Sequence, residues 1–267
     1  MLCRESVVSN PSSVVPDPVV IDPPTVDPLG IEPLELYAAA IDTSDYVARV
    51  APVVRDLVPA MGALLDVGAG GGQLGAALHE PPFPWTAIEP SPSMRARLAA
   101  LPSPPRIVLQ GWEEAYVAPA AHDSVLAATM PAVFDAERFL TCCRNWARRT
   151  VVWVVPAQAG PRGLCFAGCL PREWHGEDET PGVDLVLERL PASMQPDAIA
   201  IAHWTFTGIV KDLARLAAWL ADRLGWAASD PRRAALFNHL AGQARPHAAG
   251  HRLDIPRKSA VLVWGRA

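Results

Sequence analysis

ALLDVGAGGGQLGAALHE, residues 63–80, decides the reading of this chain. Ala63 to Val67 is a short apolar run with one acid inside it, the pattern of a buried strand. Gly68 to Gly72 cannot continue a strand or a helix cheaply, so a tight loop follows. Gln73 to His79 reads as a helix, closed by Pro81 and Pro82. Next, WTAIEPS (85–91) is a second strand ending at an acid, Glu89. Ser91 is placed to cap a helix from Pro92 to Leu101.

The same rhythm extends outward. RIVLQG (106–111), SVLAATM (124–130) and TVVWVVP (150–156) read as strands, with a helix over 136–148. Upstream, residues 34–41 and 44–59 read as helical pieces. In the second, Tyr46, Val47, Val50, Val53, Val54 and Leu57 recur at helical spacing; Ser44 is placed to cap it and Pro59 to end it. Strands alternating with helices at short intervals predict an α/β fold with a parallel sheet covered on both faces. After Pro156 the rhythm breaks. Residues 157–182 mix Gly, Pro and charge, and DLVLERL (184–190) is either a short strand or a helical turn. A strand over 198–208, an amphipathic helix over 209–224, a helix over 231–244 and a last strand over 258–265 follow. That last strand is compatible with antiparallel insertion into the sheet. His203 is expected to be a core histidine.

Composition bounds the function. Half of the 267 residues are hydrophobic and 19% are charged, as in a folded domain. The net charge of −5 lies entirely in residues 1–36, which hold six acids and one Arg. The rest is balanced, so no broad positive field invites nucleic acid. No apolar run of membrane-spanning length is free of charge or proline. The first residues lack the features of a secretory signal, so a cytoplasmic setting is expected. Five cysteines (Cys3, Cys142, Cys143, Cys165, Cys169) are few and odd in number, which predicts reduced thiols. Residues 1–33 contain seven prolines and read as a disordered tail; residues 34–267 form the domain. The sequence carries no signature of oligomeric state.

Glycines after a strand let backbone amides approach a ligand, and a helix N-terminus adds partial positive charge. Two ligand classes use this arrangement. Gly70 to Gly75 matches the dinucleotide pattern G-x-G-x-x-G, but out of register; counted from Gly68, where the strand ends, Gln73 replaces the last glycine. S-adenosylmethionine (SAM) instead carries a zwitterionic amino acid and no pyrophosphate. It needs an acid at the strand tip to accept from its ammonium group. Asp66 stands there, two residues before Gly68. Glu89, at the end of the second strand, can accept from both ribose hydroxyls in either class. Asp66 with Gly68, Gly70 and Gly72 is therefore the discriminating set.

LLDVGAGGG (64–72), AIEPSPSM (87–94), QGWEEAYV (110–117) and HDSVLAATM (122–130) resemble the successive motifs of the class I SAM-dependent methyltransferases. The resemblance covers roughly residues 35–156. It implies a doubly wound, mostly parallel seven-stranded sheet, Rossmann-like, with helices on both faces, and SAM as cofactor. It places Asp66, Gly68 and Gly70 at the methionine end, with Ala69 beside them. Glu89, with Pro90 adjoining, would bind the ribose; Trp112 and Glu113 would flank the adenine; Thr129 and Met130 would lie near the sulfonium. Trp112 stands where many members have an Asp. The fourth strand ends in Ala-Ala-Thr-Met-Pro, without the Asn-Pro-Pro-Tyr of the branches that methylate amino groups of nucleic acids and glutamine. ARRTVV replaces the usual Gly-Gly before the fifth strand.

These features favour a small-molecule acceptor. Residues 157–205 read as a substrate-side insert or lid. His175 and Glu173 in it, and Tyr46 in the second helix, are the candidate general bases. Cys165, Cys169 and His175 supply at most three ligands at unsuitable spacing, so no metal is expected. Two other readings are a non-catalytic SAM-binding or regulatory protein of the same fold and, less favoured by the glycine register, an NAD(P)-dependent oxidoreductase.

Overall fold

Strand β1 (Leu64–Val67) forms where the apolar run lies, and all four of its residues are buried. The structure, a computed structural model, describes residues 33–130, 133–160, 165–175 and 180–265. The segment read as a disordered tail therefore lies, but for Pro33, outside the described residues. β1 pairs in parallel with β2 (Trp85–Ile88) on one side and β4 (His122–Ala128) on the other. β2 pairs in parallel with β3 (Arg106–Val108), and β4 with β5 (Ala147–Pro156). β8 (Gly250–Gly265) is inserted antiparallel between β5 and β6 (Ala198–Val210). The order is β3-β2-β1-β4-β5-β8-β6. This is the expected doubly wound, mostly parallel sheet, with one addition: the three-residue β7 (Arg245–His247) pairs with the start of β8.

Successive strand residues point to opposite faces, and each face buries its own apolar layer. One layer joins Leu64, Leu126 and Val152 to α1 (Pro33–Thr43), α2 (Tyr46–Leu57), α3 (Gln73–Leu78), α8 (Leu213–Arg223) and α9 (Arg232–Gln243). The other joins Leu65, Val125, Trp153 and Trp264 to α5 (Ala136–Trp146) and α7 (Gly182–Arg189). Cys143 on α5 is fully buried there. Between β2 and β3, α4 (Pro92–Ala99) starts at Ser91, whose hydroxyl accepts from the Met94 N–H. The segment DLVLERL resolves as helix α7.

Several boundaries differ from the expectation. The helix read over 209–224 begins at Leu213, because β6 continues through the β-branched Ile209 and Val210. Asp212 then caps α8, accepting from Ala214 and Arg215 N–H. The last strand extends back to Gly250, since Leu253 and Ile255 alternate into the core opposite β6. β5 starts at Ala147, shortening α5, and β3 ends at Val108. His203 is exposed rather than buried. Its neighbour Trp204 is the core residue, donating its indole N–H to Ser259 Oγ at 3.0 Å.

Ser44 does not cap α2. The turn between α1 and α2 instead closes part of the sheet edge. Asp45 and Ser44 accept from the backbone N–H groups of Thr205 and Thr207, and Thr43 donates to the Thr207 carbonyl. This clasp fixes the start of α2 and hence Tyr46. Ser44→Ala leaves the buried Thr207 N–H without its acceptor. It should cost about 1 kcal/mol and lower Tm by ~2–4 °C in a chain of this size. Thermal denaturation checks this; an unchanged Tm would show that the clasp adds nothing.

Candidate functional site

The carboxyl ends of β1, β2 and β4 open onto a cavity of about 490 Å³, where doubly wound sheets bind ligands. The turn after β1 forms its floor. Gly68, Gly70 and Gly72 have φ of 65°, 55° and 78°, values that side chains other than hydrogen adopt only with strain. Gly68 and Ala69 donate to the Ile88 carbonyl at 2.8 and 3.2 Å, which ties the turn to β2. A methyl group on Gly68 would lie 2.8 Å from Met130 Cγ, and one on Gly72 2.5 Å from Leu98 Cδ2. Gly70 is different: a methyl group there would have no atom within 4 Å, so its backbone borders open space.

Two carboxylates face this cavity from neighbouring strands. Glu89 is buried and already half engaged. Its Oε2 accepts from Gly70 N–H and its Oε1 from Ser91 N–H, both at 2.8 Å. Each oxygen keeps a further lone pair. Asp66 is 3% exposed, and its carboxyl is pushed up to about 7, first by burial and then by the negative charge of Glu89. The Trp85 indole beside it offsets part of that rise. Asp66 also explains a glycine that the pattern alone leaves unexplained. A methyl group on Gly75 would sit 2.1 Å from Asp66 Oδ2 and 2.8 Å from Trp85 Cζ2.

Tyr46 closes the inner wall. It is 2% exposed, its ring meets Trp204 edge-on at 4.8 Å, and its hydroxyl is buried with Thr129 beside it. Burial, with Tyr37 and Asp66 nearby, holds its phenol well above the usual tyrosine range. That direction favours the protonated phenol of Tyr46 near pH 7. Thr129, next to it, has φ of 52°. A β-branched residue in that region is strained, by on the order of 1–3 kcal/mol, and its N–H donates to the Val154 carbonyl at 3.2 Å.

Trp112 borders the cavity and packs edge-on against Phe139 at 5.0 Å, with the Arg138 guanidinium 5.6 Å from its ring centre. Ala69, Pro90, Glu113 and Met130, of the expected set, also line the cavity.

His175 and Glu173 are placed elsewhere. They lie on the four-residue helix α6 (Arg172–His175), outside the cavity lining. The intervening Trp174 packs against Trp226 and His239. In the same segment, Phe166 meets Phe206 edge-on at 5.2 Å and fills the space above Gly208. None of the described residues in 157–205 lines the cavity; Phe166 and Trp174 are held by the aromatic contacts just given, and Val186 and Leu190 pack into the other core layer. Residues 198–205 of that stretch are part of β6. Among the described residues the cover comes from α1, through Leu34, Tyr37, Ala38 and Ile41. Their spacing of three and four is the signal that marks this face in the sequence. Gln73, Met94 and Arg138 are further lining residues to which the sequence reading gives no role. Among the described residues no three His, Cys, Asp or Glu side chains cluster as a metal site. No helix among them is long and apolar enough to cross a membrane.

No protein-family model and no curated protein matches the sequence. Among solved structures the chain is similar to a proposed type II methyltransferase from Anaeromyxobacter dehalogenans. The two are 18% identical, with a TM-score of 0.53, over 81% of this chain and 94% of that one. A proposed methyltransferase from Bacillus halodurans is 12% identical (TM-score 0.47; 80% and 97% covered). The magnesium protoporphyrin IX methyltransferase of Synechocystis, solved with SAM, is 11% identical (TM-score 0.39; 87% and 84% covered). The first of these carries the likeness of fold.

Proposed function

We propose that this chain, whose fold is that of the class I SAM-dependent methyltransferases, binds SAM in the cavity and methylates a small-molecule acceptor. One observation carries the reading: Asp66 on β1 and Glu89, just past the end of the adjacent parallel β2, face one cavity across a turn of left-handed glycines. The residues fit the cofactor. Asp66 would accept from its ammonium group. The free lone pairs of Glu89 would accept from the ribose hydroxyls, while its bonds to Gly70 and Ser91 hold it in place. Gly70 leaves room for the ligand beside the backbone. Trp112 offers a flat apolar wall for the adenine, with Glu113 next to it. Thr129 and Met130 would border the sulfonium. When bound, SAM supplies a methyl group already activated for transfer.

The chain itself must then align the acceptor and exclude water. The α1 face, with Leu34, Tyr37 and Ile41, is suited to that. Tyr46 holds its proton and donates at the inner wall. No His, Lys or Cys is among the described lining residues, which supports an acceptor that needs no strong protein base. The largely apolar lining of the cavity supports a small molecule over a polymer. The free thiols of Cys142, Cys143 and Cys169 suit a cytoplasmic setting. The absence of His, Lys and Cys from the described lining equally suits a second reading, a SAM-binding protein that transfers nothing. Incubation of labelled SAM with a metabolite extract separates them: transfer supports the enzyme, and tight binding without transfer selects the second.

Calorimetry with SAM, S-adenosylhomocysteine and NAD tests the cofactor. The first two should bind and NAD should not; NAD binding without SAM binding rejects the proposal. The affinity should also depend on pH. The ammonium partner is the ionised form of Asp66, whose carboxyl titrates near 7, so acid weakens binding. With the ligand's amino group titrating near 8, SAM should bind about fivefold tighter at pH 7.5 than at pH 6. A flat profile would show that Asp66 does not meet the ligand.

A further inference from the structure

Among the described residues, the outer edge of the sheet at β6 is closed over one half and open over the other. Thr205 and Thr207 turn their N–H groups away from β8, onto Asp45 and Ser44. The β6–β8 ladder keeps one register from Ala198 to Val210. By strand alternation, the N–H and C=O groups of Ile199, Ile201 and His203 therefore also point outward. Among the described residues nothing pairs with them, and β6 has β8 as its only strand neighbour. The Ile199 and Ile201 side chains stand on the face shared with Leu262 and Ala260, yet are 47% and 46% exposed. The opposite edge of the sheet, β3, is only three residues long. A long apolar edge left open is a template for strand addition.

We propose that residues 198–202 pair antiparallel with the same residues of a second copy of this chain, joining two sheets across a two-fold axis. The edge's own sequence selects that occupant. Ala198-Ile199-Ala200-Ile201-Ala202 reads identically in both directions. Pairing about an axis through Ala200 sets each Ile199 opposite Ile201 of the partner subunit. Both residues present outward N–H and C=O groups, so each such pair exchanges two hydrogen bonds. Their β-branched side chains meet across the junction on one face. No acid or Lys/Arg in the segment repels its copy. The clasp at Thr205 and Thr207 limits the pairing to this stretch. The chain's own residues 11–32 are a poor rival, because they never run more than four positions without a proline and so lack the N–H groups to fill the edge.

Sedimentation velocity on the full chain tests this, with two variants. The native chain should form a dimer as concentration rises. Ile201→Lys keeps the ladder to β8, since the Ile201 N–H points away from it, and should weaken the dimer at least tenfold while leaving the melting temperature at low concentration unchanged. Ala200→Cys sits in a non-hydrogen-bonded pair at the axis, where Cβ atoms lie about 4.5–5.5 Å apart. On mild oxidation it should give a disulfide-linked dimer that the native chain does not. A native chain still monomeric at about 100 µM, a dimer that survives Ile201→Lys, or an Ala200→Cys chain that fails to cross-link would each overturn the proposal.

Discussion

Asp66→Asn should lose SAM affinity by about 10- to 100-fold, the range for a hydrogen bond to a charged group, and yet yield a more stable apo-protein at pH 8. The two effects share one cause. Burial and Glu89 raise the Asp66 carboxyl to about 7, above the unfolded aspartate value near 3.9. A raised carboxyl contributes fully to stability below the unfolded value, and that contribution is lost as pH rises through the folded one. Above pH 7 the folded chain therefore carries an ionised carboxylate that it holds at a cost. The neutral amide removes the cost, a gain on the order of 2 kcal/mol. That corresponds to ~4–8 °C in Tm at pH 8, shrinking toward pH 4. Calorimetry and thermal denaturation read the two effects separately. Unchanged SAM affinity would remove Asp66 from the site, and a fall in Tm at pH 8 would make its charge structural.

The second large effect is expected at Glu89. Glu89→Ala removes both acceptors proposed for the ribose and also strands the Gly70 and Ser91 N–H groups. Two hydrogen bonds to a charged group correspond to about 100-fold or more in affinity. The loss should extend to adenosine, which lacks the amino-acid part, whereas Asp66→Asn should spare adenosine. Equal losses for SAM and adenosine in Glu89→Ala, beside a SAM-selective loss in Asp66→Asn, would map the two carboxylates to opposite ends of the ligand. Adenosine binding untouched by Glu89→Ala would refute the assignment.

What the sequence reveals here depends on how local the deciding forces are. β1, its glycine turn and α3 are legible because an apolar run, left-handed backbone and two prolines act within twenty residues. The Ser91 cap is local too. The end of β6 and the start of β8 are not, because each strand is as long as its partner allows and the partner lies far along the chain. Gly75 looks like an ordinary helix residue until Asp66 is seen against it. Tyr46 is legible as a core residue of α2, but the raised pKa of its buried hydroxyl is a property of its surroundings. His175 and Glu173 misled because reactive residue types in an irregular stretch suggest a lid, and only the anchoring of Trp174 and Phe166 shows where the stretch is held.

β8 has a consequence for how the molecule comes into being. It lies between β5 and β6, yet it is made after both, beginning 40 residues beyond the end of β6. While the ribosome is still working through that interval, β6 has no neighbour and β5 keeps a bare flank. The nascent chain thus passes through a stage with two sticky borders exposed at once, the stage at which chaperones and aggregation compete for it.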